Sequence, residues 1–203
     1  MGSRSLQLEI GGIPVSLSVG DCTYPPLEDS LLAVRLLEKL KDENRTYDRV
    51  LDLCTGSGIL GLAASILFGP KLLAATDVSP YALSDSRLNL PRTALVVGCD
   101  CADCLLGEWD LVVVNPPYLP EEEYMVRDGC GGYSERSWSG GRRLLEKCCV
   151  ESTSLGREIV FVYSSLSPFN IEECLKNRGF RIDRRLSEKF FMEEVIAVHA
   201  VRS

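Results

Sequence analysis

The chain predicts an α/β fold built on a mainly parallel, doubly wound sheet. Three observations carry that prediction. Short apolar runs alternate with helical patterns through most of the 203 residues, which is the mark of successive βαβ units. The run Val50-Leu51-Asp52-Leu53-Cys54 passes into Thr55-Gly56-Ser57-Gly58 and then into a helical segment from Ile59, a strand, glycine turn and helix in order. A second buried run, Leu111-Val112-Val113-Val114, stops at Asn115-Pro116-Pro117-Tyr118, where two prolines forbid a helix.

In chain order, Leu6 to Ile10, Gly11-Gly12 and Ile13 to Val19 read as a hairpin, because paired glycines suit its turn. Thr23-Tyr24-Pro25-Pro26-Leu27-Glu28-Asp29-Ser30 then caps a helix over 31–40 with leucines at helical spacing. Strands are expected near 50–54, 72–76, 94–98, 110–114, 158–163, 180–186 and 190–201. Helices are expected near 58–68, 79–89, 140–154 and 168–178. The brief connection between the last two strands predicts an antiparallel hairpin, while the strand order is not readable. No linker, repeat or low-complexity tract divides the chain, so one domain over 1–203 is expected, with 1–28 as hairpin and lid. The stretch 119–141 is glycine-rich and acidic at Glu121-Glu122-Glu123. So long a loop beginning at Asn115-Pro116 reads as a substrate-facing flap.

The chemistry follows from the strand ends. Asn115-Pro116-Pro117-Tyr118 offers one amide side chain, carbonyl acceptors without competing N–H groups, and an aromatic ring. That set suits a planar NH2 group held by its hydrogens, although the four residues also fit an ordinary turn. Gly56, Gly58 and Gly61 match G-x-G-x-x-G, a pattern shared by nicotinamide and flavin enzymes. The helix behind them favours an anionic group. Asp77 ends the next strand at the spacing of a ribose-binding acid. Asp52, inside the first strand, needs a partner: either a ligand's ammonium group or the N–H groups of the glycine loop. Asp100 follows the run 94–98 and is either an acceptor for an adenine amino group or an ordinary loop acid.

Bulk properties exclude other classes. The net charge is −7 with 45% hydrophobic residues, a poor match to a polyphosphate, so nucleic acid is not the expected partner. No run of eighteen apolar residues occurs, and Met1 to Leu6 lead into no leader-like apolar stretch. A cytoplasmic protein without a membrane anchor is expected, with a nuclear pool compatible. Nine cysteines, an odd number scattered along the chain, read as reduced, largely buried thiols. Cys99, Cys101 and Cys104 have metal-like spacing but lack a fourth ligand, so no metal is expected. Cys148 and Cys149 would point different ways on a helix. The single histidine, His199, lies in an alternating β pattern, which argues for a structural role and against a Ser-His-Asp or Cys-His mechanism.

Taken together, these motifs resemble the HemK-like N5-glutamine methyltransferases, in particular their short eukaryotic and archaeal branch. The resemblance rests on Tyr24-Pro25 through Glu28-Asp29-Ser30, the loop from Asp52 to Gly58, Asp77, Asp100, Asn115 to Tyr118, and Ser137-Trp138-Ser139-Gly140-Gly141-Arg142. Cys54 departs from the glycine many relatives carry, and Pro25 and Leu27 replace the usual Glu and Ala. The resemblance implies a Rossmann-like, seven-stranded class I S-adenosylmethionine-dependent fold without the bacterial helical N-terminal domain. It implies S-adenosyl-L-methionine contacts from Tyr24, Glu28, Asp29, Ser30, Asp52, Thr55, Gly56, Gly58, Asp77, Val78, Asp100, Cys101 and Asn115. It assigns catalysis to Asn115, Pro116, Pro117 and Tyr118, with methyl transfer to the glutamine of the Gly-Gly-Gln loop of a translation release factor. It further implies a small zinc-binding activator subunit and a secondary activity on histone lysine. The alternative is an adenine-N6 methyltransferase of DNA or RNA, which shares the Asn-Pro-Pro-Tyr motif.

Overall fold

A computed structural model describes residues 2–120, 130–133, 140–190 and 192–203. Most of the segment expected to be a flap therefore lies outside the described residues, as does Ser137-Trp138-Ser139. The chain opens with a two-stranded antiparallel sheet, β1 (Ser3–Ile10) and β2 (Ile13–Gly20). Gly11 and Gly12 turn it at φ 57° and 78°, a conformation that only glycine adopts cheaply. Helix α1 (Glu28–Asp42) follows.

The main sheet comprises β3 (Arg49–Leu53), β4 (Leu72–Asp77), β5 (Leu95–Gly98), β6 (Trp109–Val114), β7 (Gly156–Ser164), β8 (Phe180–Lys189) and β9 (Glu194–Arg202). Its order is β5-β4-β3-β6-β7-β9-β8. β9 lies between β7 and β8 and runs antiparallel to both, while β3 to β7 pair in parallel. Helices α2 (Ile59–Phe68), α3 (Pro80–Asn89), α4 (Gly141–Leu155) and α5 (Ile171–Asn177) connect the strands. The expected elements therefore occur in the expected order.

Two apolar layers sandwich the sheet. On one face, α1 and α2 pack Leu36, Leu37, Leu60 and Ala64 against Val50, Leu111 and Val113. On the other, α4 and α5 pack Leu145, Ile171 and Leu175 against Leu51, Val112 and Phe161. Strands β3 and β6 are nearly continuous apolar runs because helices cover both of their faces. The hairpin is fastened to the first layer by Asn89, whose side chain accepts from Ser18 N and donates to the carbonyls of Ser18 (2.7 Å) and Ser57 (2.8 Å).

At the amino ends of the parallel strands sits a polar network. Arg45 donates to Glu158 at 2.7 Å, and Arg45 Nη2 lies 3.1 Å from Asp183 Oδ2. Tyr47 donates to Glu158 Oε2 at 2.6 Å, and His199 Nε2 lies 2.8 Å from the same oxygen. His199 is 0% exposed and has the structural role its β pattern suggests.

The reading of reduced, largely buried thiols is corrected, as to their reduced state, for six of the nine. Cys22–Cys130, Cys99–Cys104 and Cys149–Cys174 form disulfides, with Cα–Cα distances of 5.5, 6.0 and 6.7 Å. Packing, which composition does not register, brings these pairs within bonding reach. Cys148 and Cys149 do point apart: Cys149 bonds Cys174, and Cys148 faces Cys54 and Cys101.

Candidate active site

The strand order reverses between β3 and β6, the place where open α/β sheets hold ligands. A cavity of about 380 Å³ lies there, at the carboxyl ends of β3, β4 and β6. That volume suits a small organic cofactor. Of the predicted site residues, Tyr24, Ser30, Thr55, Gly56, Asp77, Val78, Asp100, Cys101, Asn115 and Pro117 line it. Glu28, Asp29, Asp52, Gly58, Pro116 and Tyr118 do not.

Each exception has a local reason. Glu28, the first residue of α1, is exposed. Its neighbour Asp29 turns inward, 4% exposed, and reaches the cavity through Asn115 and Ser30. Asp52 accepts from Thr55 Oγ1 at 2.6 Å and from Gly61 N at 2.9 Å. It braces the glycine loop, the second of the two partners open to it from sequence. Gly58 caps α2 at φ 86°, where a Cβ would come within 3.3 Å of the Ser86 backbone. Pro116 is buried behind the wall. Tyr118 packs between the two apolar layers beside Asp29, because successive residues of an extended segment face opposite ways.

Asn115 is the most constrained side chain of the site. Its Nδ2 donates to Asp29 Oδ2 at 3.0 Å and to Ser30 Oγ at 3.2 Å. A carboxylate only accepts, so this pair fixes which way the amide faces. Asn115 Oδ1 is left buried with no hydrogen-bond partner among the described residues. A buried acceptor without a donor costs about 1–3 kcal/mol, and a ligand N–H would relieve it. Thr23 Oγ1 is a second buried orphan on the same cavity. Sequence reasoning missed Thr23; its one signal was its place beside Tyr24-Pro25.

The carboxyl groups here share one electrostatic character. Burial raises Asp29 above the usual carboxyl range despite hydrogen bonds from Asn115 and Ser30. Burial likewise raises Asp77, against bonds from the backbones of Ser79 and Gly56. Asp52 is pushed up to about 7 by burial, opposed by Thr55 and Gly61. None of the described ion pairs involves any of the three. A ligand that brings positive charge and hydroxyl donors would be stabilised in such a pocket.

A thiol group completes the floor. Cys54 and Cys101 take φ of 58° and 49°, left-handed values uncommon for residues with a Cβ. Cys148 Sγ lies 2.7 Å from Cys101 Sγ and 4.0 Å from Cys54 Sγ. Bonds from Cys148 and then Cys54 draw the Cys101 thiol down to about 5. The same contacts with Cys101 push the other two well above the usual thiol range. The sequence reading grouped Cys101 with Cys99 and Cys104 instead; the fold binds those two to each other and sends Cys101 elsewhere.

Comparison with known proteins places this geometry. The family model for ribosomal protein L11 methyltransferase (PrmA) matches residues 30–115. A provisionally named protein N5-glutamine methyltransferase of Methanocaldococcus jannaschii is 26% identical over 202 residues, covering 96% of this chain and 98% of its own. Among solved structures, the E. cuniculi Mtq2–Trm112 complex, responsible for methylation of the translation termination factor eRF1, superposes with a TM-score of 0.64. That match has 22% identity and covers 90% of this chain and 99% of that one. T. thermophilus RsmC, solved with AdoMet and guanosine, has a TM-score of 0.65 at 17% identity, over 99% of this chain and 51% of its own. The mouse methyltransferase HEMK2 is 32% identical over 167 residues, 77% of this chain and 68% of its own length. That relationship assigns the chain to the HemK-like family of N5-glutamine methyltransferases.

Proposed function

We propose that the protein transfers a methyl group from S-adenosyl-L-methionine to the side-chain amide of the glutamine in the Gly-Gly-Gln loop of a translation release factor. The observation that carries this reading is the orphaned Asn115 Oδ1, held by Asp29 and Ser30 as a buried acceptor on the cavity wall. A primary amide, like an adenine amino group, fills it with N–H while leaving its planar face open. The names of the Methanocaldococcus relative and of the Mtq2–Trm112 complex support the same substrate class.

The cavity fits the cofactor by charge and by donor set. S-adenosyl-L-methionine, when bound, supplies an electrophilic methyl on a sulfonium. Asp77 offers free lone pairs to ribose hydroxyl groups, and Asp100 accepts from an adenine amino group. The uncompensated carboxyls Asp29, Asp52 and Asp77 favour a cationic ligand. Asn115 Oδ1 accepts from the substrate amide, aligns its nitrogen and stabilises the charge that grows on it. The Pro116 carbonyl, the second acceptor of the motif, is not on the cavity wall, so Asn115 carries this task. Tyr118 braces Asp29 from behind rather than stacking on substrate. The proton leaves after transfer, so the chemistry needs no histidine base.

The proposal extends to a heterodimer with a small zinc-binding activator, on the model of the Mtq2–Trm112 complex. A release-factor substrate implies a cytoplasmic site of action, with a nuclear pool if histone lysine is also methylated. No described helix is long and apolar enough to cross a membrane. The net charge of −7 weighs against adenine in a polyphosphate as the acceptor.

The test is transfer of labelled methyl to an intact release factor, the same factor with its Gly-Gly-Gln glutamine changed to Ala, and single- and double-stranded DNA, each with and without the activator. Label on the intact factor alone is expected. Label on DNA, or equal label on the altered factor, would overturn the substrate assignment.

A further inference from the structure

The proposed methyl transfer leaves one buried nucleophilic group unused. Cys54 follows β3, Cys101 lies in the loop after β5, and Cys148 sits on α4. These three separate elements bring their sulfurs within 4.8 Å of one another. An ion bound by three thiolates at about 2.3 Å holds them roughly 4 Å apart in a plane. The Cys54–Cys148 separation of 4.0 Å already matches, and Cys101–Cys148 at 2.7 Å must open. Two of the three residues hold left-handed backbone angles, a conformation disfavoured for residues with a Cβ. Backbone strain of this kind collects at functional sites.

We propose that Cys54, Cys101 and Cys148 form a three-thiolate site for a soft metal ion, Cu(I) by preference, in the floor of the cavity. The donor set decides the ion. All three donors are soft sulfur, which selects Cu(I), zinc and iron–sulfur centres over hard cations. Structural zinc takes four protein ligands, and a fourth is not at hand among the described residues. Asp100 and Glu151 flank the site, but both face Lys147, at 3.9 and 2.6 Å. Glu151 also accepts from Ala102 N at 2.6 Å. The one histidine is held in the Glu158 network at the opposite end of the sheet. Cys54 and Cys101 line the cavity while Cys148 stands behind it, so the ion would enter from the cavity side.

The test uses the full chain with its three disulfides intact, so that three thiols are free, titrated anaerobically with Cu(I) against a chromophoric chelator. One equivalent is expected, bound at least 100-fold more tightly than by Cys148→Ser and at least 100-fold more tightly than Zn(II). Cys148 does not line the cavity, so Cys148→Ser should keep its affinity for S-adenosylhomocysteine, which also reports that it folds. X-ray absorption on the copper-loaded wild-type protein provides an arm that needs no variant: three sulfur neighbours are expected. Undiminished binding by Cys148→Ser, zinc bound as tightly as copper, or fewer than three sulfurs around the ion would each overturn the site. These readouts do not involve methyl transfer, so the site and the proposed function fail separately.

Discussion

The two ends of the sheet bury the same residue types to opposite effect. At the amino ends, burial would raise Glu158, but bonds from His199 and Tyr47 and the charge of Arg45 bring it below its ordinary value. Asp183 is likewise raised by burial and lowered further by Arg181, His199 and Arg45. At the carboxyl ends, Asp29, Asp52 and Asp77 are all raised, with hydrogen bonds but no cation. The first network meets its carboxylates with Arg45 and Tyr47, although His199 Nδ1 is left without a hydrogen bond among the described residues. The second has no cation among the described residues, and the proposed cofactor would supply one. Unsatisfied buried atoms occur at both ends, so carboxyls buried without a counter-ion mark the candidate site better.

The largest expected break is Asn115→Ala. It removes the orphan acceptor and should lower kcat by at least about 1000-fold, with S-adenosylhomocysteine affinity by calorimetry changed less than about threefold. Turnover within tenfold of wild type would remove Asn115 from the mechanism. His199→Ala should act at the other end only. Breaking its contact with Glu158 should cost about 3 kcal/mol in denaturant unfolding and leave cofactor affinity unchanged. A loss of affinity without loss of stability would erase the contrast between the ends.

A third prediction separates the ends by pH. The folded-state value of Asp52, about 7, exceeds its unfolded value of about 3.9. The folded protein therefore holds that proton more tightly, and the contribution of Asp52 to stability falls as pH rises from about 4 to about 7. Asp52→Asn abolishes this dependence. Relative to wild type, the variant should gain about 2 kcal/mol between pH 5 and pH 7. A difference that does not vary with pH would show Asp52 to be ionised throughout. Glu158 and Asp183, depressed, should act in the opposite sense, stabilising above the ordinary carboxyl range and ceasing to do so in acid. The smallest effect is expected for Asp77→Ala, about tenfold weaker cofactor binding with unchanged kcat at saturation.

Much of this was legible from residues. Apolar runs and their spacing predicted every main strand, because parallel strands covered on both faces must be continuously apolar. Asn115 and Asp77 were legible because strand ends at a switch point have few other tasks. The order β7-β9-β8 was not, since it depends on which strand inserts between two others. Asp29 and Thr23 owe their roles to contacts 86 residues away and to an orphaned hydroxyl, neither of which leaves a local pattern. Cys54, Cys101 and Cys148 are separated by 47 residues each, and only packing puts them together. Local reasoning also misled: the tight spacing of Cys99, Cys101 and Cys104 suggested one cluster, and the fold divides it.

The most direct test of the account is a crystal structure with S-adenosylhomocysteine and a Gly-Gly-Gln peptide. The glutamine amide nitrogen should lie about 3 Å from Asn115 Oδ1, with Nδ2 still donating to Asp29 and Ser30. A glutamine bound in the cavity with that oxygen still unpaired would contradict it.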